Sequence, residues 1–391
     1  MGTVYAGADG GGAWKTTDAG ASWVSLTNSI NNLNVGAIAL APSSPNIVYL
    51  GTGSEHSGGI GLLKSTDGGA TWLFPASVVA NRFFRISVHP THPLELVAAT
   101  DQGGLRSIDG GSSWTLVIPN LTVTDLARDP TNAQILYATT WGCPESICYG
   151  QVFKSIDAGA TWVEKSSGLP ATEGVSYMAI AISSTNPLVL YTSLSIYGIS
   201  HIYKTTNGAQ TWADLPAVST DPNVNQYMDG QAFHDNTIVV SPTDSNLVIA
   251  AGVHYFRSTD GGSSWVYAYP SGSPHADATD LQYQGSTLYT ANDGGVWSIA
   301  NSGLADAATS RNNGLVAREY YAMAIDQVNR NRVLAGAQDN GTDRRPDTGG
   351  TSWTEVFPGD GFDCAVNCNV TSIAYWTYQG GIIFRTKDAA N

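Results

Sequence analysis

Aromatic side chains stand beside carboxylates in the irregular stretches of this chain. That pairing suits a sugar site, with flat rings for pyranose faces and carboxyl groups for hydroxyl hydrogen bonds or proton transfer. The residues that offer such contacts are Trp141, Tyr197, Tyr227, Asp229, His234, His275, Asp277, Tyr320, Tyr321, Gln338, Asp339 and Asp360. A second set places an aspartate just ahead of a glycine pair, at Asp9, Asp101 and Asp293. His234, His275, Asp277 and Asp339 are also metal-donor types, but no short ligand spacing joins them, so neither a metal nor a cofactor is expected. The four cysteines form two close pairs, Cys143 with Cys148 and Cys364 with Cys368. Widely separated pairs with no histidine beside them read as two loop-stapling disulfides rather than a zinc site.

The elements that must position these residues come from a repeat. The pattern Ser/Thr-x-Asp-x-Gly-x-Ser/Thr-Trp occurs at Thr16 to Trp23, Ser65 to Trp72, Ser107 to Trp114, Ser155 to Trp162 and Ser258 to Trp265. Weaker copies run from Thr205 to Trp212 and from Asp347 to Trp353. The gap between Trp265 and Trp353 is about twice the others, so one copy is hidden there, at Gly295-Val296-Trp297-Ser298 followed by a decayed turn near Asn301 to Gly303. Each period reads as four short strands, as in Val35–Leu40, Ile47–Leu50, Gly61–Lys64 and Thr71–Phe74, which is one propeller blade. The repeated Asp accepts backbone N–H groups within its turn, the Gly takes a positive φ, and the Trp fills space between blades. These turns are therefore structural. Together with the Pro-rich turns between first and second strands they occupy one face, so function belongs to the loops of the other, including the long segment from Val218 to Asn236.

The repeat resembles the Asp-box, or BNR, repeat of sialidases, sortilin-type domains and xyloglucanases, over essentially the whole chain. The resemblance implies an all-β fold: one β-propeller of about eight four-stranded blades with Asp-box turns over residues 1–391, or seven blades plus part of a second ring. Tyr5 to Lys15 is similar to the first-blade segment of two-propeller xyloglucanases, and Tyr321-Ala-Met-Ala-Ile-Asp326 to the strand carrying their other catalytic carboxylate. Carried over, Asp9 and Asp326 form a general-acid and general-base pair for inverting hydrolysis of a β-glucan. The strand-end turn is the competing reading for Asp326, because Asp129 holds the same slot in another blade. The sialidase pattern fits poorly, since Arg85-Ile86 is followed by Ser87 rather than proline. The implied function is a polysaccharide-binding or polysaccharide-hydrolysing propeller of the β-glucan and xyloglucan class, with a polysaccharide or oligosaccharide as partner and another protein or a second propeller as further partners. A non-catalytic, sortilin-like propeller that presents the same face to a protein or peptide is the alternative.

Composition agrees. Charged residues make up 13% of the chain, against about a quarter in ordinary domains, while 43 Gly, 18 Tyr and 11 Trp suit turn-rich β structure. A formal charge of −14 repels phosphate backbones and excludes nucleic acid as the expected partner. No apolar run of about 18 or more residues is present, so no membrane-spanning helix is expected. The sequons at Asn120, Asn340 and Asn369 and the paired cysteines suit a secreted or periplasmic setting. The chain opens on a strand and closes on what looks like an interrupted repeat, Phe384 to Ala390, so a removed export signal and a gene continuing past Asn391 are expected.

Overall fold

The computed structural model describes residues 2–31, 34–54, 57–74, 77–142, 149–171, 174–219, 221–222, 224–268, 274–300, 307–316, 318–350, 353–367, 369–370 and 372–387, the side chains of Tyr149, Ala217 and Ser219 excepted. Among them lie nine antiparallel sheets of three or four strands, with helix confined to short turns such as Pro216–Ser219. The fold is all-β, in propeller-type sheets. The chain divides into two compact units, Met1–Leu315 and Val316–Asn391. In the first unit, sheets 1 to 7 run over residues 4–25, 35–65, 83–118, 122–164, 179–214, 237–267 and 278–310; in the second, sheets 8 and 9 run over 320–357 and 364–386. Seven sheets followed by two match the second of the blade counts expected from the repeat.

Each repeated turn is built from its own side chains. Ser65 Oγ accepts the Gly69 N–H at 2.8 Å and donates to Asp67 at 2.7 Å, while Asp67 accepts the Thr71 N–H at 2.9 Å. The Thr71 hydroxyl, which donates to Asp67 at 2.6 Å, followed by the Thr71 N–H and Ser65, holds the Asp67 carboxyl at about 2. Gly69 sits at φ 93°, which L-residues avoid. The same bonds recur around Asp18, Asp109, Asp157 and Asp260.

Neighbouring sheets of the first unit are joined by two repeated contacts. Trp72 and Trp212 donate their indole N–H to the backbone of the preceding sheet, to Leu26 O at 3.0 Å and Lys165 O at 2.8 Å, whereas Trp162 bonds Gly159 O of its own turn. Trp23 makes the same bond to Arg311 O at 2.5 Å, and Asn313 donates to Ala21 O at 2.8 Å. Sheet 7 thus meets sheet 1 as sheet 1 meets sheet 2, and the seven close on themselves. Sheet 1 takes part without a first strand: Val4–Ala8 lies where other sheets have their second, with Gly7 against Val35 of sheet 2. In the second contact, a tyrosine and a lysine of one sheet grip a glycine carbonyl in the turn of the next. Tyr5 and Lys15 bond Gly68 O at 3.1 and 3.2 Å, and Tyr191 and Lys204 bond Gly261 O at 3.2 and 2.8 Å. On the inner strands, Arg85 of sheet 3 pairs with Asp125 of sheet 4 at 2.9 Å and Asp280 of sheet 7 at 3.2 Å.

The strand Gly295–Ile299 pairs as the third strand of sheet 7, where the hidden repeat was expected; its decayed turn at 301–303 lies outside the described residues. The bridge expected through Cys364 is not formed. Cys364 is a free, buried cysteine whose thiol burial pushes up to about 12; Cys143, Cys148 and Cys368 lie outside the described residues.

Trp212 is 4% exposed and wedged between sheets. Trp212→Ala is expected to destabilise the first unit by about 3–5 kcal/mol. Trp141→Ala, at an exposed strand end, is expected to change stability by about 0.5 kcal/mol or less. Denaturant midpoints of the two variants against the parent chain check both values.

Candidate functional site

At the loop-rich end of the first unit, the segments entering sheets 6 and 7 meet. Residues Tyr227 to Asn236 lead into Thr237–Val240, and Pro274 to Asp277 lead into Ala278–Gln284. The Ala278 N–H donates to Gly252 O at 2.9 Å, and Gly252 lies so close to the Asp235 carbonyl that an added Cβ would stand 2.7 Å from it. This backbone arrangement sets Asp235 beside Asp277. Asp235 is 0% exposed, and neither of its side-chain oxygens meets an N–H or hydroxyl donor. Burial, then the charge of Asp277, push Asp235 up to about 9, so near neutral pH it carries a proton and shares it with Asp277. Asp277 is raised too, by burial first and by Asp293 second, and its backbone is held at φ 60°. His234 Nε2 lies 3.5 Å from Asp293 Oδ1, and His275 packs over Gly294 with Nδ1 3.2 Å from Ala276 O. The result is an acid–base cluster of two histidines and three aspartates.

The sequence had pointed to His234, His275 and Asp277, and the structure brings them together. It had not singled out Asp235 as a site residue, nor Asp293 beyond its glycine-pair motif. The echo between Phe233-His234-Asp235 and Pro274-His275-Ala276-Asp277 was the available signal. Tyr227 is a correction. It is 0% exposed in the core, edge-on to Phe256 at 6.3 Å, because the segment folds back on itself instead of arching over the rim. Asp229 is exposed in a turn at φ 42°, and Tyr197 is exposed at φ 50° with its ring over Gly174. Asp9 is exposed in the turn between Val4–Ala8 and Gly12–Thr16. Asp101, which shares its motif, instead accepts the Asn81 and Arg82 N–H groups, each at 3.1 Å.

In the second unit, Tyr321 is 50% exposed and stacks on Phe362, with centroids 5.3 Å apart and planes 3° from parallel. The carboxylates of Asp360, Asp339 and Glu319 lie within its electrostatic reach and, after burial, raise its hydroxyl. Asp360 accepts the Asp339 N–H at 2.8 Å and a Gln379 side-chain N–H, and Gln338 lies alongside, its N–H donated to Glu319 O. Tyr321, Gln338, Asp339 and Asp360 thus form one patch; Phe362 was not foreseen. Tyr320 points away from it, donating to Asp343 Oδ2 at 2.7 Å beside Arg318. Asp326 is 0% exposed: one oxygen accepts the Val328 and Asn329 N–H groups at 2.8 and 3.1 Å, and the other pairs with Arg332 at 2.9 Å. Asp129 holds the equivalent turn in the same way, through the Thr131 and Asn132 N–H groups at 2.8 and 3.1 Å.

One group of three donors among the described residues is close enough to hold a metal: His89, His92 and Glu95, in the corresponding turn of sheet 3. There His89 does the work of Asp129, with Nδ1 accepting the Thr91 and His92 N–H groups at 3.3 and 3.2 Å, and Glu95 is paired with Arg106 at 2.5 Å. His89 Nδ1 is spent on the turn and one Glu95 oxygen on the ion pair, while His89 Nε2 is buried without a hydrogen bond and His92 Nδ1 lies 3.7 Å from Glu95 Oε2.

No protein-family model matches the chain. It is 25% identical over 312 residues to a xyloglucanase of a Paenibacillus species, covering 67% of this chain and 30% of that protein. It is also 25% identical over 318 residues to a probable oligoxyloglucan-reducing end-specific xyloglucanase of Neosartorya fischeri, covering 67% and 38%. The chain thus spans about a third of the length of these curated relatives. Among solved structures it is similar to the GH74 enzyme of Niastella koreensis, with a TM-score of 0.62 at 18% identity over all of this chain and 70% of that one, a likeness of fold. No helix is long and apolar enough to cross a membrane among the described residues.

The raised Asp235 carboxyl makes stability depend on pH. Unfolded, it titrates near the ordinary value of 3.8; folded, near about 9. Its contribution is therefore fully present below about pH 4 and is lost as pH rises towards 9, because the folded state holds a proton that the unfolded state has released. Asp235→Asn in chelator-treated protein is expected to remove this slope, so that its melting temperature exceeds the parent's by a margin that grows from pH 5 to pH 9. Thermal melts across that range read the difference.

Proposed function

We propose that the chain is a secreted, glycoside hydrolase-like propeller that recognises a β-glucan of the xyloglucan class. The observation that carries this reading is the exposed Tyr321 ring, stacked on Phe362 and flanked by Asp339 and Asp360. A flat apolar face bordered by carboxylates matches a pyranose ring, whose axial C–H face packs on an aromatic while its equatorial hydroxyls reach acceptors. The matches to two xyloglucanases over two-thirds of the chain support the same ligand class. Asp9 is the exposed carboxylate kept as acid or base. Asp326 is assigned to the turn, because its oxygens are held by backbone N–H groups and Arg332. Inverting hydrolysis needs two working carboxyls, and that spent oxygen set favours a second reading in which this chain binds glycan without cleaving it.

Calorimetry with xyloglucan oligosaccharides and reducing-end release from xyloglucan test both readings. Tyr321→Ala is expected to weaken binding by about tenfold, the loss of one stacking face. Asp9→Asn is expected to abolish any hydrolysis while leaving binding within about twofold. Binding that is unchanged in Tyr321→Ala, or absent in the parent chain, sinks the glycan reading; binding without reducing-end release selects the second.

A further inference from the structure

The pair Asp235 and Asp277 poses an electrostatic problem that, without a bound ion, the chain meets only by holding a proton between the two carboxyls. A buried carboxylate without donors costs several kcal/mol, and proteins relieve that cost with an arginine, a set of N–H donors, a proton or a metal ion. The other buried aspartates take the first two routes: Asp326 has Arg332 and two N–H groups, Asp343 has Arg318 and the Tyr320 hydroxyl, and Asp125 has Arg85 and the Ile180 N–H. Asp235 has neither. Both its oxygens and Asp277 Oδ1 are buried without a hydrogen-bond donor, and among the described residues no lysine or arginine pairs with either. Asp277 is moreover fixed at φ 60°, a conformation that a non-glycine residue holds only against a penalty and that concentrates at functional sites.

We propose that Asp235 and Asp277 hold a hard divalent cation of the calcium class at the entry to sheets 6 and 7. The free donors are carboxylate oxygens, which hard cations select. One nitrogen of each neighbouring imidazole is already engaged, His234 Nε2 towards Asp293 and His275 Nδ1 with Ala276 O, which leaves the carboxylate oxygens as the unbonded donors of the pair. With two protein carboxylates, water and backbone carbonyls complete a shell of about six to eight oxygens, which the tolerant geometry of calcium allows. Asp293 adds negative charge beyond the inner shell. The ion tethers the loop preceding sheet 6 to the loop preceding sheet 7, and so stiffens the loop-rich end.

The test uses the full chain, stripped with chelator and then titrated with calcium chloride by calorimetry and thermal melting, with magnesium and zinc chlorides as comparisons. Expected are one calcium site per chain and a melting temperature raised by about 2 °C or more at saturation. Asp235→Asn keeps a donor towards Asp277 through its amide, so it folds, and it removes one ligand charge; calcium affinity is expected to fall at least about tenfold. His92→Ala, in the distant turn, is expected to leave the calcium response intact. The proposal is overturned if the parent chain shows no calcium response, if Asp235→Asn responds as the parent does, or if zinc alone binds.

Discussion

Adjacent sheets of the first unit are locked by a carbonyl that two donors share. In the turns at Gly68 and Gly261, the glycine at positive φ leaves its oxygen facing the preceding sheet, where a tyrosine hydroxyl and a lysine ammonium bond it. The lysine also lies over the ring of its own tyrosine, at 5.2 Å for Lys15 and Tyr5 and 5.3 Å for Lys204 and Tyr191, which recovers part of the solvation lost on burial. The arrangement works only if the turn is rigid. Rigidity comes from the Asp and Ser bonds inside it, and the Trp indole fixes its distance from the sheet before. Because the repeated turns spend their polar atoms within themselves and on neighbouring sheets, the loops at the opposite end are released from that duty.

Along the chain, one residue type does opposite things according to its surroundings. Asp67, ringed by donors, stays ionised down to about pH 2. Asp326 is buried deeply but answered by Arg332. Asp235 is equally buried and faces Asp277 more strongly than it is offset by His234, so burial first and that carboxyl second keep its proton bound to about pH 9. The difference lies in the partners and not in the amino acid. A site able to exchange a proton or take up a cation arises where burial is supplied and donors are withheld.

The second unit offers a complementary chemistry. Tyr321 and Phe362 present a flat apolar surface, and Asp360 is braced by the Asp339 N–H and the Gln379 amide so that its carboxyl keeps a defined position at the edge. A braced rim around an open ring needs little reordering to receive a sugar. The two chemistries lie in different units, so each is testable without the other.

The all-β class, the repeat length and the structural role of the repeated turns were legible in the sequence, because hydroxyl, Asp, Gly and Trp at fixed offsets act within about eight residues and leave a local imprint. The same locality made His234, His275, Asp277, Tyr321, Asp339 and Asp360 recognisable as loop chemistry. The tertiary structure decided the rest. Only the pairing of Trp23 with Arg311 closes seven sheets with the first short of a strand, only the packing of residue 227 shows Tyr227 to be core, and only contacts between two sheet-entry loops set Asp235 against Asp277. Spacing along a chain specifies which atoms can bond within a turn. Burial, and the presence or absence of a compensating donor, is set by segments distant in sequence, and those determine what a carboxylate can do.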